Sequence, residues 1–592
     1  MNKVVKNFLV YLILILLSLS FGIILSFKST DDYFVTELEF AEISSDVKVY
    51  RDEYGIPTII ADNQDDLFFA QGYEFPRDRL WQAEFYRSVA HGELSRLFGP
   101  DLLDSDKFLR TLKLRESADL EYAQSSESTK RIVDRYVQGM NKYMAQHASN
   151  LPLEFELLDL GRVAGGDFES LKPKRWEPQD VFALQGVMAY DLSYSAAQRE
   201  FLRQDLLANL GAEKALDLIP IDNPEAESYF LNSTANPLTS RLSGYMRSFP
   251  LLENLVSGID AGSNNWVISG DLTESGNPLL SNDPHLDLGT PSIWWQVRLY
   301  ATDGSFNVEG YSLPGTPGIV IGHNQYVAWG VTNTATDSID LFYFNTRTDS
   351  NGNEQYFYDN EWTNFDYKTH KIPVAGQSDE EFVLKSTVYG PVLDKELFNV
   401  SDDKTYALRW TLHEPSNNSR LFDAILNLNV ATNADEIVEA TKFWSVPGQN
   451  IVYATVDGDI GYQYTGFAPI RKVSGSGVLP QNGSDPKFGW DGYVPFSEFY
   501  SVRNPEEGYF VTGNAKVDKT DNFYITDLFA TDHRTRRIQQ FIQEGKDFTV
   551  DDMLKLQGDV LNLYSIDVLD PLKGYIDKSI VSSDLSSVAD EA

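Results

Sequence analysis

The segments that could carry chemistry are loops dense in Gly, Asn, Asp and Pro: Gly262-Ser-Asn-Asn-Trp266, Ser281-Asn-Asp-Pro-His285, Leu313-Pro-Gly-Thr-Pro-Gly318, Ile321-Gly-His-Asn324 and Trp329-Gly-Val-Thr-Asn333. Each alone is a turn. Crowded between Gly262 and Asn333, they mark a candidate active site. What the chain lacks narrows the chemistry. Zero cysteines remove a thiolate nucleophile, a disulfide framework and cysteine-held zinc or iron–sulfur sites. No Gly-x-Ser-x-Gly elbow, Walker loop or His-Glu-x-x-His run occurs, so the usual serine hydrolase, NTPase and zinc protease signatures are missing. The seven histidines, His91, His147, His285, His323, His370, His413 and His533, are scattered without metal-ligand spacing. Asp349-Ser-Asn-Gly-Asn353 begins like an EF-hand loop, but Glu354 stands where Gly is needed and Asn360 where Glu is needed. It reads as a turn.

The elements that must position these loops change character along the chain. Val47–Arg51 and Thr58–Ala61 read as short strands around a Gly55-Ile-Pro57 turn. From Asp65 to about Phe98 apolar residues recur at helical spacing, and helical stretches continue to about residue 220. Residues 225–260 carry breakers and no strong period, which fits a linker or a removable spacer equally. Beyond them the texture is β-rich: Trp294–Tyr300, Ile319–Ile321, Tyr326–Trp329, Ile339–Phe344, Thr405–Trp410 and Ile451–Val456. Helical patches return near Ala434–Phe443 and Asp532–Gln543.

At 592 residues the chain has room for roughly three to five domains or one very large one. Its net charge of -38, from 87 acidic against 49 basic residues, is dispersed rather than run together. That is a solvated surface, unlike the basic face a nucleic acid needs. Lys3 and Lys6 precede an uncharged apolar run from Phe8 to Phe27, about long enough to span a bilayer as a helix. The charge bias predicts a cytoplasmic N-terminus and an exported body, anchored in the inner membrane and facing the periplasm or exterior. Without a clean small-x-small site, an uncleaved anchor over residues 1–33 is favoured over a removed signal, which would leave a periplasmic protein.

Taken in order, these segments resemble the penicillin amidase family of N-terminal nucleophile hydrolases, from about Val47 to Ile542. The resemblance also includes Arg51-Asp-Glu-Tyr-Gly-Ile-Pro57, Arg77-Asp-Arg-Leu-Trp-Gln82 and Lys174-Arg-Trp-Glu-Pro178. It implies an α+β fold, a four-layer α-β-β-α sandwich. Residues 34–230 would be a helix-rich first chain, 231–262 a spacer and 263–592 a catalytic chain, the two chains forming a heterodimer after self-cleavage. The implied activity is hydrolysis of an acyl-amide bond in a small molecule. A β-lactam, a lipopeptide, an aromatic acetamide and an acyl-homoserine lactone all stay open as substrates. The family logic agrees with independent chemistry: a serine hydroxyl needs an adjacent base. A new N-terminus supplies its own amine, whose reference pKa near 7.7–8.0 leaves a neutral fraction at physiological pH.

By this resemblance Ser263 attacks the Gly262 carbonyl, is freed by water and becomes the nucleophile. The Asn333 backbone N–H and the Asn514 side chain would stabilise the oxyanion, Arg534 would organise the site, and His285 would orient the serine amine. Histidine at 285 is similar to the cephalosporin, lipopeptide and acyl-homoserine-lactone acylases. A structural calcium is also implied, held by Asp337, the Ile339 carbonyl, Asp340, the Pro469 carbonyl and Asp527. Glu200 is the last ligand, with Gln198 competing for that place. Family members run past the point where this sequence stops, so the resemblance also raises a C-terminally truncated fold. A competing reading is a membrane-anchored, calcium-stabilised binding protein of the same fold without the chemistry.

Overall fold

The computed structural model describes residues 39–164, 171–233, 262–286, 289–398, 404–414, 419–517 and 523–572. The expected anchor over residues 1–33 and most of the expected spacer lie outside the described residues. Among the described helices none is long and apolar enough to cross a membrane.

Helix Gln64–His91 starts where the Asn63 side chain accepts the Asp66 N–H, with Asp65 and Asp66 in its first turn. Both features satisfy the positive end of the helix. It stops at Gly92, which takes the left-handed conformation at φ 59°. Helix Glu127–Gln146, capped by Ser126, buries Ile132, Val133, Tyr136, Val137, Met140 and Met144, the three-to-four spacing of one helical face. The two helices meet through glycines. A Cβ at Gly72 would stand 1.9 Å from the Tyr136 carbonyl oxygen, and one at Gly139 would stand 2.0 Å from that of Phe69. With Pro178–Ser193 and Ser195–Leu210, they form the helix-rich first part that the spacing predicts.

The large sheet has nine strands, ordered Lys48–Arg51, Pro57–Ala61, Trp295–Ala301, Asn307–Ser312, Ile321–Asn324, Val327–Asn333, Gln449–Thr455, Ile460–Tyr464 and Ser501–Arg503. Only the pairing of Pro57–Ala61 with Trp295–Ala301 is parallel. Ser263–Ile268 lies in a separate sheet of three strands, between Tyr509–Thr512 and Leu279–Pro284. Alternation along the strands separates the cores. Ile451 and Tyr453 face the main core with the helices, whereas Val452 and Ala454 face Val267 of the small sheet. Trp266, Ile268 and Val511 face the other way, onto Ile538, Ile542, Met553 and Leu556. Those last residues belong to helices His533–Glu544 and Val550–Gln557.

The helical and strand-rich parts are not separate globular units. Phe68, Trp176 and Phe182 from the first share one core with Trp329, Phe422 and Ile451 from the second. Asp349–Asn353 is the turn that its residues predict: the Asp349 carboxylate accepts the backbone N–H groups of Asn351 and Asn353, both at 2.8 Å.

Candidate active site

Ser263 opens its strand opposite Pro284 and is 7% exposed. Its backbone N–H donates to Asn514 Oδ1 at 2.5 Å, and its carbonyl accepts from Arg534 Nη1 at 2.6 Å. Arg534 also donates to Asn264 Oδ1 at 2.7 Å and to Asn514 Oδ1 at 3.0 Å. Asn514 in turn donates through Nδ2 to the Asn333 carbonyl at 2.8 Å. Asn514 sits at φ 61°, a left-handed conformation that Asn tolerates better than most residues. Four of the expected residues, Ser263, Asn333, Asn514 and Arg534, thus form one hydrogen-bonded chain. Burial lowers the pKa of the Arg534 guanidinium, with Asp283 acting against it.

Gly262 carries the carbonyl next to the serine, and that carbonyl accepts the His285 backbone N–H at 2.8 Å. The His285 ring meets Asp283 Oδ2 at 2.9 Å with its side chain 40% exposed, so it is the backbone of His285 that reaches the junction. A Cβ at Gly262 would stand 2.5 Å from Arg534 Nη2; the guanidinium occupies the space a side chain would need.

Asn333 ends strand Val327–Asn333. Its side chain is engaged in bracing: Nδ2 donates to the Leu192 carbonyl at 3.0 Å, and Oδ1 accepts the Ala335 N–H at 3.0 Å. Two asparagines outside the expected set hold this strand. Asn450 donates to the Thr332 hydroxyl at 3.0 Å. Asn282 pairs with Val331 as a strand would, accepting its N–H at 3.0 Å and donating to its carbonyl at 2.8 Å, and donates to the Asn264 carbonyl at 3.0 Å. Asn282 therefore ties the two sheets together beside Ser263. A Cβ at Gly330 would stand 2.7 Å from Asn282 Cβ, which accounts for the glycine in the Trp329-Gly pair.

A cavity of about 930 Å³, counting the space at its mouth, runs from Ser263 and Asn333 into the main core. Met188, Leu286, Trp294, Leu421, Phe422 and Ile425 are among its walls, and none of the described residues lining it is charged. Leu421 begins helix Leu421–Val430 and donates its N–H to the buried Glu121 carboxyl group at 2.7 Å. Burial pushes the Glu121 pKa up to about 8.

The residues expected to hold calcium are differently disposed. Arg471 donates to Asp340 Oδ1 at 2.8 Å and lies 2.9 Å from Asp337 Oδ2. Arg203 pairs with Asp527, Trp490 Nε1 donates to Asp340 Oδ2 at 2.6 Å, and the Glu200 carboxylate accepts the Leu341 N–H at 3.2 Å. Ile339 and Pro469 lie in strands opposite Trp410 and Tyr493. Among the described residues no three His, Asp or Glu side chains converge on a point where a metal could sit. The expected ligands are neighbours, but they do not form the open oxygen cage that a six- to eight-coordinate cation needs.

The penicillin amidase family profile matches residues 46–590. The chain belongs to the penicillin amidase family. It is 28% identical over 539 residues to the acyl-homoserine lactone acylase QuiP of Pseudomonas aeruginosa strain PAO1, covering 88% of this chain and 61% of that protein. It is 27% identical to the penicillin acylase 2 proenzyme of Pseudomonas sp. strain SE83, covering 89% and 66%. To the penicillin G acylase of Escherichia coli it is 26% identical, covering 82% and 61%. Among solved structures, the thermostable penicillin G acylase from Alcaligenes faecalis aligns at a TM-score of 0.45 with 23% identity, over 55% of this chain and 57% of that one. This family member therefore spans about three fifths of the length of the QuiP and E. coli relatives.

Proposed function

We propose that this chain is a self-processing amidohydrolase. Ser263 Oγ attacks the Gly262 carbonyl carbon, the Gly262–Ser263 amide becomes an ester, and water cleaves it to a Gly262 carboxylate and a free Ser263 amine. The observation that carries this reading is the position of Gly262: its carbonyl accepts the His285 N–H at 2.8 Å, a donor already aimed at the oxygen on which negative charge develops. The stacked cores support an α-β-β-α sandwich, and the two cleaved segments would stay together through their shared core.

After cleavage, the amine takes the place of the N–H that now meets Asn514 Oδ1. Arg534, a cation beside it, disfavours the protonated amine and keeps it available as the base. The amine accepts the Ser263 hydroxyl proton as Oγ attacks a substrate amide, and it passes that proton to the leaving amine. Water then releases the acyl group by the same route. The Asn333 N–H and the Asn514 Nδ2 amide are the proposed oxyanion donors.

The uncharged cavity beside Ser263 supports an apolar acyl group, long and largely aliphatic, as the preferred half of the substrate. The first apolar run supports export and attachment at the membrane. A panel of acyl-amides of graded chain length tests the acyl assignment: the reading expects kcat/KM to rise with chain length, and a flat or falling profile contradicts it.

A further inference from the structure

Three of the four carboxylates that the family resemblance assigns to calcium, Asp337, Asp340 and Asp527, are met here by the chain's own cations, while the fourth, Glu200, accepts the Leu341 N–H. Arg203 lies one turn after Glu200 on helix Ser195–Leu210. It reaches Asp527 across 324 residues of sequence, with the two side chains 3% and 2% exposed. Arg471 inserts between Asp337 and Asp340: Nε stands 2.9 Å from Asp340 Oδ1, and Nη2 lies 2.9 Å from Asp337 Oδ2. The Trp490 and Tyr524 donors complete the set, Tyr524 Oη lying 3.0 Å from Asp527 Oδ1.

We infer that Arg203 and Arg471 are the resident cations of this cluster and that the protein is stapled by them without calcium. The two guanidiniums carry the same total charge as one divalent ion. Their donors are fixed in a planar fork that pairs with carboxylates in defined directions, whereas a calcium ion would require these same oxygens to turn inward around it. Arg203 belongs to the segment before Ser263, while Asp527, Asp337, Asp340 and Arg471 belong to the segment after it. The Arg203–Asp527 pair would therefore hold the two processed chains together. That interchain role rests on cleavage before Ser263; the identity of the cation does not.

The test is metal content and thermal unfolding of the purified wild-type chain, with calcium, with EGTA and with neither. The inference expects no stoichiometric calcium and the same Tm in all three. Bound calcium that survives dialysis, or a Tm that falls in EGTA, overturns it. Arg203→Ala, which leaves buried carboxylates without their partner, is expected to lower Tm and to make it rise with added calcium. Arg203→Lys, keeping the charge, should lose less. Equal Tm for wild type and Arg203→Ala would also overturn the inference, and if Arg203→Ala does not fold, the wild-type metal measurement still decides.

Discussion

The Ser263 N–H and Asn514 Oδ1 stand 2.5 Å apart although 251 residues separate them in sequence. The same Asn514 side chain reaches Asn333 at 2.8 Å, so one amide joins the start of the proposed nucleophile strand to the end of the proposed oxyanion strand. Asn514→Gly keeps the left-handed backbone and removes the amide. It is expected to lower kcat by about 10²–10³-fold and to lower Tm, because the Ser263 N–H, the Arg534 guanidinium and the Asn333 carbonyl each lose a partner. Asn514→Ala adds about 1–2 kcal/mol of backbone strain at the same position, so its Tm should fall below that of Asn514→Gly. Indistinguishable kcat for wild type and Asn514→Gly would remove Asn514 from the oxyanion site.

Gly262 faces Arg534 with no room for a side chain. Gly262→Ala is expected to slow self-cleavage several-fold by pushing the Gly262 carbonyl off the His285 N–H, which a time course on a denaturing gel reads directly. Because the substitution lies on the segment removed from the nucleophile, molecules that do cleave should turn over substrate at the wild-type rate. Unchanged cleavage would contradict the steric account.

Glu121 provides a pH test of the core beneath the cavity. Its carboxyl has an ordinary pKa of 4.5, and burial pushes it up to about 8. Between those values the folded chain holds a proton that the unfolded chain has released. The contribution is therefore complete below pH 4.5 and is lost as pH rises to about 8, at most on the order of 4–5 kcal/mol. Glu121→Gln keeps an acceptor for the Leu421 N–H and should flatten this dependence, becoming the more stable protein near pH 8. Parallel Tm curves for the two proteins would contradict it.

The acyl assignment predicts a steric shift. Ile425 lines the cavity and is 4% exposed, so Ile425→Phe fills part of it. The variant should move the preferred acyl chain to a shorter length. An unchanged chain-length profile would place the substrate elsewhere.

Local signals made much of the frame readable from residues alone. Helix Gln64–His91 carries its own cap, apolar residues and terminating glycine, and Ile339–Phe344 and Thr405–Trp410 carry the β texture at the bounds observed. The site loops stand out because close approach demands glycine, as at Gly262 and Gly330. What was not readable depends on partners distant in sequence. Nothing local marks Asn282 as the tie to Val331, although it lies inside the Asn-Asp-Pro-His run. Nor does helical spacing reveal that Arg203 faces Asp527. Placing Ser263–Ile268 in a small sheet apart from the nine-stranded one is likewise a matter of pairing, which period-2 alternation does not specify.

Self-cleavage before Ser263 is read by intact mass and N-terminal sequencing of the purified wild-type chain beside Ser263→Ala. Two fragments are expected from the wild type, one beginning Ser263-Asn-Asn-Trp-Val267, and a single uncut, inactive chain from Ser263→Ala. A wild-type chain that hydrolyses acyl-amides while remaining uncut, or a Ser263→Ala variant that still cleaves at this junction, would contradict it.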